Sequence, residues 1–139
     1  MKRLLVALTF VAVFAAAAFA GVQDFGKFTV DVPAGWTATP DEETVGIVKN
    51  DNTASISITV DSTEGEAVKD IAEAFVEALN GRNLKAEGDS YSFEMTNANG
   101  VDSKAFLSGD DKHYALVVVT GLENAPDDVS QIINSLTEK

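Results

Sequence analysis

Ser108, Asp110, Asp111 and His113 fall within six consecutive positions and supply a hydroxyl, two carboxylates and the only imidazole of the chain. These are the side-chain types of a hydrolytic triad. A triad acts only when serine touches imidazole and imidazole touches carboxylate, in a cleft with an oxyanion hole. Four residues around one hairpin turn diverge instead of converging. The expectation is a polar turn followed by a surface or half-buried histidine, with no catalytic residue and no enzyme activity. The chain has no cysteine, so disulfides, thiolate nucleophiles and zinc-thiolate sites are excluded.

Carboxylates gather at Asp41-Glu42-Glu43, Asp110-Asp111 and Asp127-Asp128. Calcium takes six to eight oxygens from a compact loop or from converging loops. No twelve-residue loop has that spacing, and the nearest candidate, Asp51 to Asp61, reads mostly as strand. Asp127 and Asp128 stand where a helix start favours negative charge. No cofactor and no dedicated metal site are expected; Asp110 and Asp111 are the candidates for a cation. Trp36 follows a Pro33-Ala34-Gly35 turn and reads as a lid over the end of a core. A ligand pocket bordered by Phe28, Trp36, Phe93 or Tyr114 would make Trp36 and Tyr114 the binding candidates.

Elements must position these groups. Phe28, Val30 and Val32 alternate with Lys27, Thr29 and Asp31, which predicts a half-buried strand. Val45 to Lys49 is a second, short strand, and Asn50-Asp51-Asn52 is a hairpin turn. Ala54, Ile56, Ile58 and Val60 alternate with Ser55, Ser57 and Thr59 in a third. Val68, Ile71, Phe75 and Leu79 recur at helical spacing, with Thr63 and Glu66 at capping-box distance and Asn80-Gly81 as the stop. Strands resume at Tyr91 to Thr96, turn at Asn97-Ala98-Asn99-Gly100, return over Val101 to Ser108, turn at Gly109-Asp110-Asp111, and end with Lys112 to Thr120. Leu116-Val117-Val118-Val119 is apolar on both sides, which predicts a central strand covered on both faces. A last helix begins near Asn124, with Pro126 in its first turn and Val129, Ile132, Ile133 and Leu136 as its apolar stripe. The order is βββ-α-βββ-α. It predicts an α+β fold with an antiparallel sheet of about six strands and helices on both faces, a three-layer α/β/α sandwich.

Charge and hydropathy divide the chain. Its 139 residues carry 22 acids and 10 bases, yet mean hydropathy is +0.04. Residues 1–20 explain this: they hold 17 apolar residues, Lys2 and Arg3, and no acid. A basic start, the apolar run Leu4 to Ala18, and small residues at Ala18 and Ala20 spell a signal peptide cleaved before Gly21. The run is short of the roughly 20 residues that span a bilayer. No cysteine follows it to carry lipid, so no stable membrane anchor is expected after cleavage. Residues 21–139 then form a single domain with 22 acids against 8 bases. Such a polyanion does not bind nucleic acid through counterion release.

The segment Phe28-x-Val30-x-Val32-Pro33-Ala34-Gly35-Trp36, followed by this element order, resembles the PsbP-like fold family. That family includes extrinsic photosystem subunits, a Ran-binding nuclear import factor and exported bacterial proteins. The resemblance implies a non-catalytic accessory or protein-binding domain. Together with the signal peptide it gives a periplasmic protein whose partner is another envelope protein. The alternative is a small-ligand or calcium binder using a pocket near Trp36 or the acidic loops. One expectation is directly testable. Mass spectrometry of the exported protein should find Gly21 at its amino terminus, and an Ala18→Lys change should block processing.

Overall fold

Leu116 to Val119 has no polar side to turn to water, and the fold places its strand in the middle. A computed structural model describes residues 20–96 and 100–138. Residues 1–19 of the expected signal peptide and positions 97–99 of the expected Asn97-to-Gly100 turn lie outside the described residues. The elements are β1 (Gly21–Asp24), β2 (Phe28–Val32), β3 (Trp36–Asp41), β4 (Thr44–Lys49), β5 (Ser55–Ser62), α1 (Val68–Ala78), β6 (Arg82–Glu87), β7 (Ser90–Thr96), β8 (Asp102–Gly109), β9 (His113–Thr120), a 3-10 turn (Leu122–Asn124), α2 (Pro126–Ser135) and β10 (Thr137–Glu138).

Seven strands form one antiparallel sheet in the order β3-β4-β5-β9-β8-β7-β6, and β1-β2-β10 form a second, three-stranded sheet. The centre is β9, paired with β5 from Ser62↔His113 to Ser55↔Thr120 and with β8 on its other side. Ala115, Val117 and Val119 point into one core, which β2, β3, β4, β5 and α2 complete. Leu116 and Val118 point into a second core, where Ala105, Leu107 and Phe93 meet Ile71 and Ala72 of α1. Opposite faces of the sheet are therefore covered by different elements, and β9 serves both.

The α+β class and the antiparallel pairing match the expectation, but strand count and order differ. The βββ-α-βββ-α reading lacks β1, β3, β6 and β10, and the layer opposite α1 is a small sheet plus α2, not a helix alone. Each missing strand carries weak local signal. Pro40 sits in β3, which tolerates it because β3 is an edge strand, and no further neighbour on its open side needs the N–H that proline lacks. The other edge, β6, is polar and irregular: its register shifts between Arg82 and Lys85, and Asn83 has φ 57°. Such features blunt an edge against unwanted pairing. Four-residue β1 and two-residue β10 are held by β2 alone.

Two helix-end readings are also corrected. No capping box opens α1, which starts at Val68 after Ala67 with no side-chain cap. Thr63 is instead buried against the β8–β9 turn, its hydroxyl donating to the Asp111 carbonyl at 2.9 Å. At the far end the left-handed residue is Asn80 (φ 54°), and the Gly81 N–H donates to the Val76 carbonyl at 2.7 Å. Gly81 is required for another reason: a Cβ there would lie 2.7 Å from Cδ2 of the buried Phe93. Gly121 after β9 combines both constraints, with φ 74° and a Cβ position that collides with the Thr53 carbonyl. Gly121→Ala should cost about 2–3 kcal/mol of stability, read from the midpoint of urea unfolding.

Candidate functional site

The Gly109-Asp110-Asp111 turn is built by its own first acid. Asp110 Oδ1 accepts the backbone N–H groups of Lys112 (2.8 Å) and His113 (2.9 Å), while the Asp110 N–H donates to the His113 carbonyl. The His113 and Lys112 amides hold the Asp110 carboxyl below the usual carboxylate range. That carboxylate is committed to backbone geometry and not to orienting an imidazole. His113 is exposed at the start of β9 beside Ser62, and Ser108 lies exposed on β8 opposite Ala115. Asp110 and Asp111 border a cleft of about 590 Å³ with the β6–β7 turn and the start of α1. Among the described residues, no group of three or more acids and histidine is placed to hold a metal ion.

The four aromatics of the suggested pocket are divided by the sheet. Phe28 and Trp36 are buried in the core beneath α2, Phe93 in the core beneath α1, and Tyr114 is half-buried beside Phe75. Trp36 is 2% exposed, and its indole N–H donates to Asp128 Oδ2 at 2.9 Å. This bond ties edge strand β3 to the first turn of α2 and gives Asp128 a role besides complementing the helix end. Trp36 is thus enclosed in the core, whereas Tyr114 borders a groove. Its groove, about 270 Å³, lies between α1 and β9 and is shared with Ile71, Ala74, Phe75 and Ala78. Ile71 and Phe75 belong to the apolar stripe that the sequence predicts for α1, and both pack in the core. The signal for a groove was small Ala74 and Ala78 at the flank of that stripe, three residues beyond Ile71 and Phe75.

Coverage of the large sheet is diagonal. Helix α1 packs on β6, β7 and β8, and α2 on β2. On the α1 side, β3, β4 and β5 present Thr37, Thr39, Thr44, Ser55, Ser57 and Thr59, all half-buried and none buried. Register places these on one face: Thr39↔Gly46↔Ser57 form one row, Thr37↔Val48↔Ser55 the next, and Asp41↔Thr44↔Thr59 the third. The Thr44 and Thr59 hydroxyls bond directly across strands at 2.8 Å. Charged side chains on this face, Asp41 and Asp61, stand at the strand ends.

No protein-family model matches the chain, and no curated protein matches it in sequence. Solved structures do match in fold. The solution structure of cyanobacterial PsbP (CyanoP) from Synechocystis sp. PCC 6803 aligns over 87% of this chain and 94% of its own, with TM-score 0.58 and 12% identity. A crystal structure from Bacteroides thetaiotaomicron VPI-5482 aligns over 88% of this chain with TM-score 0.55 and 14% identity. This chain spans about half of that structure's length, 47%. The fold is PsbP-like.

Because the folded-state value of Asp110 is depressed, its stabilisation is complete above the unfolded aspartate value of about 4 and is lost as pH falls through the folded-state value. Asp110→Ala should therefore be less stable than the parent at pH 6, and the gap should close as urea midpoints are followed down to pH 2.5. A gap independent of pH would assign the loss to turn backbone and not to charge.

Proposed function

We propose that this chain is an exported, non-catalytic accessory domain of the cell envelope that binds a protein partner across the open face of β3, β4 and β5. The observation that carries this reading is a gap in charge. The chain holds 22 acids, yet the centre of that face carries hydroxyls, Gly46 and Val48. Protein interfaces are depleted of charge at their core and keep it at the rim. Hydroxyls can exchange water for partner groups at lower desolvation cost than carboxylates. Asp41 and Asp61 at the strand ends would form such a rim and favour a partner with a basic surface.

The export half of the proposal rests on the amino-terminal pattern. Among the described residues, no helix is long and apolar enough to cross a membrane. The accessory half is supported by the fold likeness. In this reading the cleft beside Asp110 and Asp111 is solvated surface, and the strands serve as a scaffold for the binding face.

A photo-crosslinking side chain at Ser57, in the protein expressed in its native compartment, should give one reproducible adduct. The same probe at Glu73, on the outer side of α1, should give none. Adduct yield should fall as ionic strength rises, since rim charges steer association. Equal or absent labelling at the two positions would remove the proposed face.

A further inference from the structure

The groove between α1 and β9 has two kinds of wall. Its floor is apolar and aromatic: Ile71, Ala74, Phe75 and Tyr114 line it, with Phe75 and Tyr114 edge to face at 5.8 Å and 63°. Its rim is acidic, formed by Asp61 at the end of β5 and by Glu64 and Glu66 in the loop to α1. Among the described residues no lysine or arginine lines the groove; Lys27, which is not part of its lining, pairs with Asp61 at 3.6 Å. At about 270 Å³ the space falls below the roughly 300–1,000 Å³ of sites for drug-sized ligands. It suits one long side chain.

We infer that this groove receives a lysine or arginine side chain of the protein that docks on the neighbouring hydroxyl face, an inference that rests on the function proposed above. Lysine and arginine lay apolar stems along apolar surface and keep the charged head at a polar edge. Aromatic rings attract such a head through their quadrupole, and desolvation strengthens the attraction. The rim is built before binding. The Thr63 N–H donates to the Lys112 carbonyl at 2.9 Å, its hydroxyl donates to the Asp111 carbonyl, and the Ser62 hydroxyl accepts the Glu64 N–H at 3.1 Å. A fixed rim lowers the ordering cost of association. Position favours the same partner, because Asp61 pairs directly with Tyr114 and ends the β5 row that carries Ser57 and Thr59. Groove and open face are one continuous surface.

The test uses the purified exported protein, labelled with nitrogen-15, and three peptides: acetyl-Gly-Gly-X-Gly-Gly-amide with X as arginine, lysine or uncharged citrulline. The arginine and lysine peptides should shift the amides of Thr63, Ala74, Phe75 and Tyr114 saturably, and the citrulline peptide should not. Glu64→Gln with Glu66→Gln, both exposed positions, should weaken the charged peptides about three- to tenfold without moving the melting temperature. Phe75→Leu should weaken them similarly. Shifts that fail to saturate, spread over the acidic surface or survive these changes would overturn the inference. So would shifts at the same amides on raising protein concentration alone, which would seat a second copy of the chain there. Crosslinking at Ser57 with no peptide binding would remove the groove and leave the partner-binding reading standing. Peptide saturation without crosslinking would do the reverse.

Discussion

The pairing of β9 with β5 holds the molecule together. Among the described residues it is the one strand pairing of the large sheet, ordered β3-β4-β5-β9-β8-β7-β6, that joins the meander before α1 to the meander after it. Eight residue pairs span it, bringing residues 55–62 against residues 113–120. The same strand supplies Ala115, Val117 and Val119 to one core and Leu116 and Val118 to the other. Loss of this ladder would open both cores at once. Because its partners are distant in sequence, loop-closure entropy must be overcome before the pairing contributes, which places such a ladder late in folding.

That constraint explains why the centre was readable and the periphery was not. An unbroken run of Leu116 to Val119 admits few solutions in water, so two-sided burial followed from the residues alone. The alternation of Ile56, Ile58 and Val60 with Ser55, Ser57 and Thr59 likewise fixed a face. The outer strands obey different rules. An edge strand is selected partly to avoid pairing, so β6 carries Arg82, Asn83 and Lys85, and β3 carries Pro40; both patterns read locally as loop. Strands β1 and β10 exist because β2 offers them hydrogen bonds, a tertiary cause with no local signature.

Candidate site residues divide in the same way. The Asp110 turn was legible because an aspartate before two amides closes a hairpin by itself. The Trp36 contact was not, since the indole reaches Asp128, 92 positions away, and no spacing rule links the two. Thr63 shows how a local motif can mislead. Its distance to Glu66 fits a capping box, but the β8–β9 turn offers the Asp111 carbonyl as acceptor, and the hydroxyl goes there instead. Tyr114 was singled out for its aromatic ring; its place beside Ala74 depends on how α1 lies across the sheet.

Geometry makes an open face unavoidable. Strands stand about 4.8 Å apart, so seven of them are roughly 29 Å wide, while a helix with its side chains is about 10 Å across. One helix covers about a third of that width, and α1 is spent on β6, β7 and β8. Tyr114 of β9 borders the flank of α1, and β3, β4 and β5 are left beyond its reach on that side. A surface selected only for solubility would use the charges this chain has in excess. Hydroxyls occupy the middle instead, some bonded to each other as at Thr44 and Thr59, and acids retreat to the strand ends. Self-paired hydroxyls hold fewer waters tightly than carboxylates do, and an uncharged centre opposes no approaching protein. Under the function proposed above, the acidic remainder of the surface would steer a basic partner towards that uncharged region.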